Sequence, residues 1–122
     1  MAFTPAQRRY LGTQRLGRLA TVSTAGIVQN NPVAFRVRAD DTIDIGGYRM
    51  RDTKKYRNIA AGSNRVAFVV DDLVSVQPWV VRCLEIRGTA EALSDAPPPL
   101  PGMTGDVIRI HPERIYAFGL ED

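Results

Sequence analysis

Gly46-Gly47-Tyr48-Arg49-Met50-Arg51-Asp52-Thr53-Lys54-Lys55-Tyr56-Arg57-Asn58-Ile59 separates two stretches that read as strands, and this segment decides the fold. Before it, Thr42-Ile43-Asp44-Ile45 alternates polar with apolar residues; after it, Arg65-Val66-Ala67-Phe68-Val69-Val70 is rich in β-branched ones. Between them Thr53 is placed to cap a short helix running to about Ala61, which Gly62 would stop. The pattern predicts strand, short helix, strand. The same segment concentrates positive charge in Arg49, Arg51, Lys54, Lys55 and Arg57, and it holds both lysines of the chain. Free N–H groups at a helix start, with that charge, suit a phosphate or a similar anion. The competing reading is a solvated basic turn.

Working outward, Thr4-Pro5-Ala6-Gln7 has the form of a capping box with proline at the first helical position. A helix is predicted from about Pro5 to Arg15, with Phe3, Tyr10 and Leu11 toward the core and Gly17 ending it. Arg18 to Ser23 reads as a strand that turns at Thr24-Ala25-Gly26 into a second, Ile27 to Arg38. There Val33, Phe35 and Val37 alternate with Ala34, Arg36 and Arg38, the pattern of a sheet wet on one face, and Pro32 predicts an edge or a bulge. Ala39-Asp40-Asp41 makes the next turn, and Asp71-Asp72 is expected to close the strand begun at Arg65. Val80 to Leu93 is a long strand, Ser94 to Gly105 with its four prolines an irregular surface loop, and Asp106 to Leu120 a last strand broken at His111-Pro112-Glu113-Arg114. The expected fold is mainly β (α+β): an antiparallel barrel with an N-terminal helix and a short inserted helix, one domain over residues 1–122.

A chain of 122 residues with a formal charge of +3 suits a small anionic ligand, and lacks the long basic stripe of a nucleic-acid binder. A domain this size buries only about two thirds of its unfolded surface, so a partner subunit would help. No charged segment followed by an apolar one opens the sequence and no apolar run approaches the roughly 20 residues of a membrane span, so a cytoplasmic protein without membrane attachment is expected. The lone Cys83 sits in a predicted strand as packing. His111, before Pro112, reads as a turn histidine with nothing near in sequence to orient it as a base. One cysteine and one histidine do not build a zinc site, and turn chemistry explains Asp40-Asp41 and Asp71-Asp72, so no metal is assigned. No P-loop or dinucleotide fingerprint occurs; for an enzyme with no assignable catalytic residue, a cofactor would carry the reaction.

Leu16-Gly17-Arg18-Leu19-Ala20-Thr21-Val22, Pro32-Val33-Ala34-Phe35, Thr53-Lys54-Lys55-Tyr56-Arg57-Asn58-Ile59 and Arg65-Val66-Ala67-Phe68 together carry a likeness over nearly the whole chain. It resembles the pyridoxamine 5'-phosphate oxidase-like, FMN-binding-like split β-barrel family, in its branch of small flavin- or deazaflavin-dependent enzymes. Leu84-Glu85-Ile86-Arg87-Gly88-Thr89-Ala90-Glu91 and Ile108-Arg109-Ile110-His111-Pro112-Glu113-Arg114-Ile115 look like the subgroup containing tetracycline-pathway dehydro-reductases that use coenzyme F420. The resemblance implies a homodimer with two cofactor sites at the subunit interface. It implies that Lys55 holds the cofactor phosphate with Thr53 and Lys54 beside it, that Asn31, Pro32 and Val33 lie along the tricyclic ring, and that Gly46 and Gly47 let backbone approach it. Trp79 and Arg82 of the partner subunit would meet the other side.

Arg51, with Arg49 and Arg57, offers charge to the acidic tail of F420, which FMN lacks; F420 is therefore the first cofactor and FMN the alternative. The function implied is an F420-dependent oxidoreductase passing hydride between reduced deazaflavin and an unsaturated small-molecule acceptor, with the product proton from water, Tyr48 or Tyr56. The alternatives are an FMN-binding oxidoreductase of the same fold and a non-catalytic protein binding flavin, deazaflavin or haem. Single-stranded nucleic acid fits least, because aromatics are not interleaved with the basic cluster.

Overall fold

A computed structural model describes residues 2–120, so positions 1, 121 and 122 of the expected domain lie outside the described residues. In chain order it contains α1 (Pro5–Gly12), β1 (Leu16–Val22), β2 (Val28–Val37), β3 (Ile43–Ile45), a 3-10 turn (Met50–Asp52), α2 (Lys54–Ala60), β4 (Arg65–Ser75), β5 (Val80–Leu93) and β6 (Val107–Phe118). The strands close into a barrel in the order β1-β2-β3-β6-β5-β4, antiparallel at every pairing. Alternation drives the closure, because every second residue turns inward. Leu19, Ile43, Ile45, Phe68, Val70, Leu84, Ile86, Ile108 and Ile110 are all fully buried. Each large apolar side chain so buried contributes about 1.5–3 kcal/mol. Phe68 meets Phe35 edge to face at 5.3 Å in that core. Among the described residues no helix is long and apolar enough to cross a membrane.

The barrel is split at β2. That strand pairs with β1 over Val28–Ala34 and with β3 over Phe35–Val37, so its first half has one open edge. Pro32 lies in that half, opposite Arg18 in unbroken register: an edge proline without a bulge. The N-terminus is tied to the barrel by buried Asp41, whose carboxylate accepts the N–H groups of Ala2 at 2.9 Å and Phe3 at 3.1 Å and the Arg8 guanidinium. The Thr4–Gln7 capping box forms as expected.

Four expectations are corrected. Helix α1 stops at Gly12 rather than near Arg15, because Thr13 caps it, its hydroxyl donating to Tyr10 O at 2.7 Å. Gly17 is therefore no helix terminator; it sits in β1 opposite Val33, where a Cβ would come within 2.3 Å of the Phe68 ring. Strand β4 runs through Asp71-Asp72 to Ser75, because both acids find cations: Asp72 accepts Arg82 at 2.7 and 3.0 Å, and Asp71 pairs with Arg18. Strand β6 is bulged, not broken, at His111–Arg114: Gly88 faces Pro112 and Arg87 faces Arg114, leaving Glu113 as the extra residue. A Cβ on Gly88 would lie 2.1 Å from the His111 carbonyl oxygen, so the bulge requires glycine there.

Gly88→Ala is expected to lower unfolding free energy by roughly 1–3 kcal/mol, the cost of overpacking against backbone. Gly12→Ala, with nothing within 4 Å of the added methyl, is the control and should stay within about 0.5 kcal/mol of the parent. Urea denaturation measures both; equal midpoints would contradict the bulge assignment.

Candidate functional site

Helix α2 is fixed by two polar anchors on its inner face. The Tyr56 hydroxyl donates to Leu93 O at the end of β5, 3.0 Å away, and the buried Asn58 amide donates to the buried Thr21 hydroxyl of β1 at 3.2 Å. With Ile59 also buried, the remaining face turns outward with Lys54, Lys55 and Arg57. Thr53 caps the helix as predicted: its hydroxyl accepts the Tyr56 N–H at 3.3 Å and donates to Met50 O at 2.7 Å. Both capacities of that hydroxyl are thus used within the chain.

Lys55 is the unusual member. Its side chain is half-buried, and desolvation lowers its pKa below the ordinary 10.5. Among the described residues neither Lys54 nor Lys55 has a hydrogen-bond or ion-pair partner. The neighbouring arginines do: Arg49 meets Asp52 at 3.2 Å, Arg51 meets Asp106 at 3.0 Å, and Arg57 folds back onto the carbonyls of Asp52 and Thr53 at 3.2 and 3.4 Å. Charge expected to face a ligand tail is therefore shared with local acceptors.

The structure brings Asn31, Pro32 and Val33 of β2 and Gly46-Gly47 after β3 to the split, just beyond the Phe35–Ile45 pair where the two strands part. Val33 is buried, Pro32 exposed, and Asn31 half-buried with its oxygen accepting from Gln29 at 2.5 Å. Gly46 has a different neighbour from the one expected. A Cβ there would meet Pro99 at 2.6 Å and Met103 at 2.7 Å, so the proline-rich segment 94–105 is the irregular surface loop expected, with one side packed on Gly46. Pro99 is buried, and the Thr104 N–H donates to Gly47 O at 3.1 Å.

Trp79 and Arg82 belong to the β4–β5 hairpin and its far end, not to this cluster. Arg82 grips Asp72 and lies over the Tyr10 ring at 5.1 Å. Burial and the Asp72 acceptor push the Tyr10 phenol upward, while the Arg82 hydrogen bond holds Asp72 below its ordinary value. Trp79 is 68% exposed and lines an apolar depression with Val80, Val81 and Phe118; Leu73, Val74 and Val76 of the same hairpin are exposed as well.

Three further readings change. His111 lies in β6, not a turn, and its Nε2 meets the Glu91 carboxylate of the adjacent strand, a partner 20 residues away. Of the two tyrosines considered as proton donors, Tyr56 is buried and committed to Leu93, whereas Tyr48 is 66% exposed. The acids Asp95 and Asp106, facing Arg49 and Arg51 across a groove, escaped the sequence reading because nothing local links them.

The family model for pyridoxamine 5'-phosphate oxidase matches residues 3–118. A 5a,11a-dehydrotetracycline/5a,11a-dehydrooxytetracycline reductase of Streptomyces rimosus is 44% identical over 123 aligned positions, covering 99% of this chain and 86% of the relative. A conserved hypothetical protein of Mycobacterium tuberculosis shares the fold with a TM-score of 0.74 at 19% identity, over 96% of this chain and 85% of that one. An F420 reductase shares it with a TM-score of 0.63 at 24% identity, over 84% and 89%. Fold and sequence together define an oxidoreductase built on a split β-barrel. The chain belongs to the pyridoxamine 5'-phosphate oxidase family.

Thr21→Val removes the acceptor of the buried Asn58 amide and is expected to cost about 1–3 kcal/mol. Urea unfolding checks this; an unchanged midpoint would mean that the Thr21–Asn58 bond does not hold α2.

Proposed function

We propose that the protein is an F420-dependent oxidoreductase that passes hydride between reduced deazaflavin and an unsaturated small-molecule acceptor. The observation that carries a phosphate-bearing cofactor is Lys55, a half-buried ammonium without an anionic partner among the described residues, on a helix anchored at both Tyr56 and Asn58, while the reductase relatives favour F420 over FMN. A partly desolvated cation is costly without a counter-charge, and a cofactor phosphate supplies one. The residues present therefore fit the group. Two similar proteins support the same reading: one is a dehydrotetracycline reductase and one an F420 reductase.

Bound and reduced, F420 supplies the hydride. The chain's own part is mainly placement. Lys55 holds the phosphate through a charge-assisted bond contributing about 1.5–3 kcal/mol, with Lys54 adding screened attraction. Asn31, Pro32 and Val33 flank the ring on one side, and the Gly46-Gly47 backbone, backed by Pro99 and Met103, closes another. Thr53 acts through its cap, fixing the start of α2. Arg51 stays charged beside Asp106, whose hydrogen bond raises its pKa. Exposed Tyr48, or water, returns the proton to the product.

The exposed apolar patch around Trp79 fits a second copy of the chain, so that Trp79 and Arg82 of the partner subunit complete each site in a homodimer. Free Cys83 and a reduced cofactor suit the reducing cytoplasm. FMN in the same fold is the second reading, because Lys55 serves its phosphate equally well. A cofactor carrier without turnover uses the same residues.

Fluorescence titration with F420 and FMN tests the reading. F420 should bind more tightly, and Lys55→Ala should weaken it roughly tenfold to a hundredfold, the equivalent of one charge-assisted bond. Tighter FMN binding moves the chain to the flavin branch, and unchanged F420 affinity in the variant contradicts the phosphate assignment. Affinity should also fall as pH rises through the lowered Lys55 pKa, since only the ammonium binds phosphate; Lys55→Arg should abolish that fall below pH 10.5.

A further inference from the structure

Beside Gly46-Gly47 lies a groove of about 460 Å³ that no cofactor residue above requires in full. One wall is Tyr48, Arg49 and Arg51; the other is Asp95, Thr104 and Asp106. Asp52 also lines it, so two guanidinium groups face three carboxylates and the groove carries one net negative charge. A polyanionic tail gains nothing there, although the arginines alone would have suggested one. What such walls recognise is a neutral or cationic molecule with many donors and acceptors: hydroxyl, amide or ammonium groups for the aspartates, carbonyl oxygens for the arginines.

The second wall is fixed on the proposed ring site. Pro99 and Met103 occupy the space a side chain at 46 would need, and the Thr104 N–H is held by Gly47 O. A ligand in the groove therefore adjoins the backbone assigned to the ring. Among the described residues one ion pair, Arg51–Asp106, spans it, its guanidinium exposed and its carboxylate part-buried, and a pair whose cation reaches solvent contributes little. Tyr48 stands at the edge against Gly102, presenting an exposed phenol ring.

Resting on the reductase reading above, we propose that this groove seats the polar edge of the acceptor, with Asp95 setting acceptor choice. It selects a ring system decorated with hydroxyl and amide groups over a bare quinone, and it leaves the acidic tail of F420 outside. A polar group built to meet a substrate hydroxyl discriminates strongly against analogues lacking it.

The test compares the parent with Asp95→Asn and Asp95→Gly, both of which tolerate the φ of +58 at that position, using reduced F420 and two acceptors, 5a,11a-dehydrotetracycline and menadione. The variants should lose about tenfold or more in kcat/KM for the tetracycline substrate through KM, and stay within about twofold for menadione and for F420 affinity. F420 carrying one or several glutamates should bind the parent equally. Equal losses on both acceptors, lost F420 affinity, an undiminished rate on the tetracycline substrate, or no turnover of it by a parent that binds F420 would each overturn the proposal. Titration of cofactor-free protein with tetracycline, followed by its fluorescence, separates the two claims. Binding that the variants weaken supports the groove even where F420 does not bind, and absent or unweakened binding overturns it.

Discussion

The candidate site depends on one constraint: α2 is held by buried polar bonds, so the backbone that carries Lys55 stays in place. Tyr56 to Leu93 and Asn58 to Thr21 tie the helix to β5 and β1, two strands that are not neighbours in the barrel. An exposed lysine on a loose turn would swing into water at no cost. Lys55 is instead kept half-buried with its charge disfavoured, which makes it ready for an anion and costly without one.

The same anchoring explains how the barrel can be split without losing cohesion. Strand β2 leaves β1 for β3 midway, opening an edge at Asn31–Pro32, and the chain returning from β3 passes through Gly46-Gly47 on its way to α2. Segment 94–105 packs Pro99 and Met103 onto Gly46 beside that opening. In the proposed function the ring and phosphate contacts come from β2 and from positions 46–55, an arrangement suited to catalysis by placement rather than by a strong acid or base.

What was legible in the sequence was local. The Thr53 cap, the short helix and the capping box at Thr4–Gln7 are decided within a few residues, and all three form. Strand positions followed from alternation, but their ends did not. Asp71-Asp72 continues a strand because Arg18 and Arg82 reach across from other strands, and Gly17 is required by Phe68, 51 positions later. The site divides in the same way. The density of cations could be read, whereas their partners could not: Arg51 is paired with Asp106, 55 residues away, and His111 with Glu91 across the β5–β6 ladder. A lone glycine pair also has several meanings in sequence, and only packing showed that Gly46 makes room for a proline and a methionine.

The most direct test of the central claim is calorimetric proton counting on F420 binding, in buffers of different ionisation enthalpy, at alkaline pH just below the ordinary lysine value of 10.5. If Lys55 holds the phosphate, binding restores its proton, and the parent should take up protons while Lys55→Arg takes up none. Binding without proton uptake in the parent, or the same uptake in both proteins, would show that the phosphate is held elsewhere.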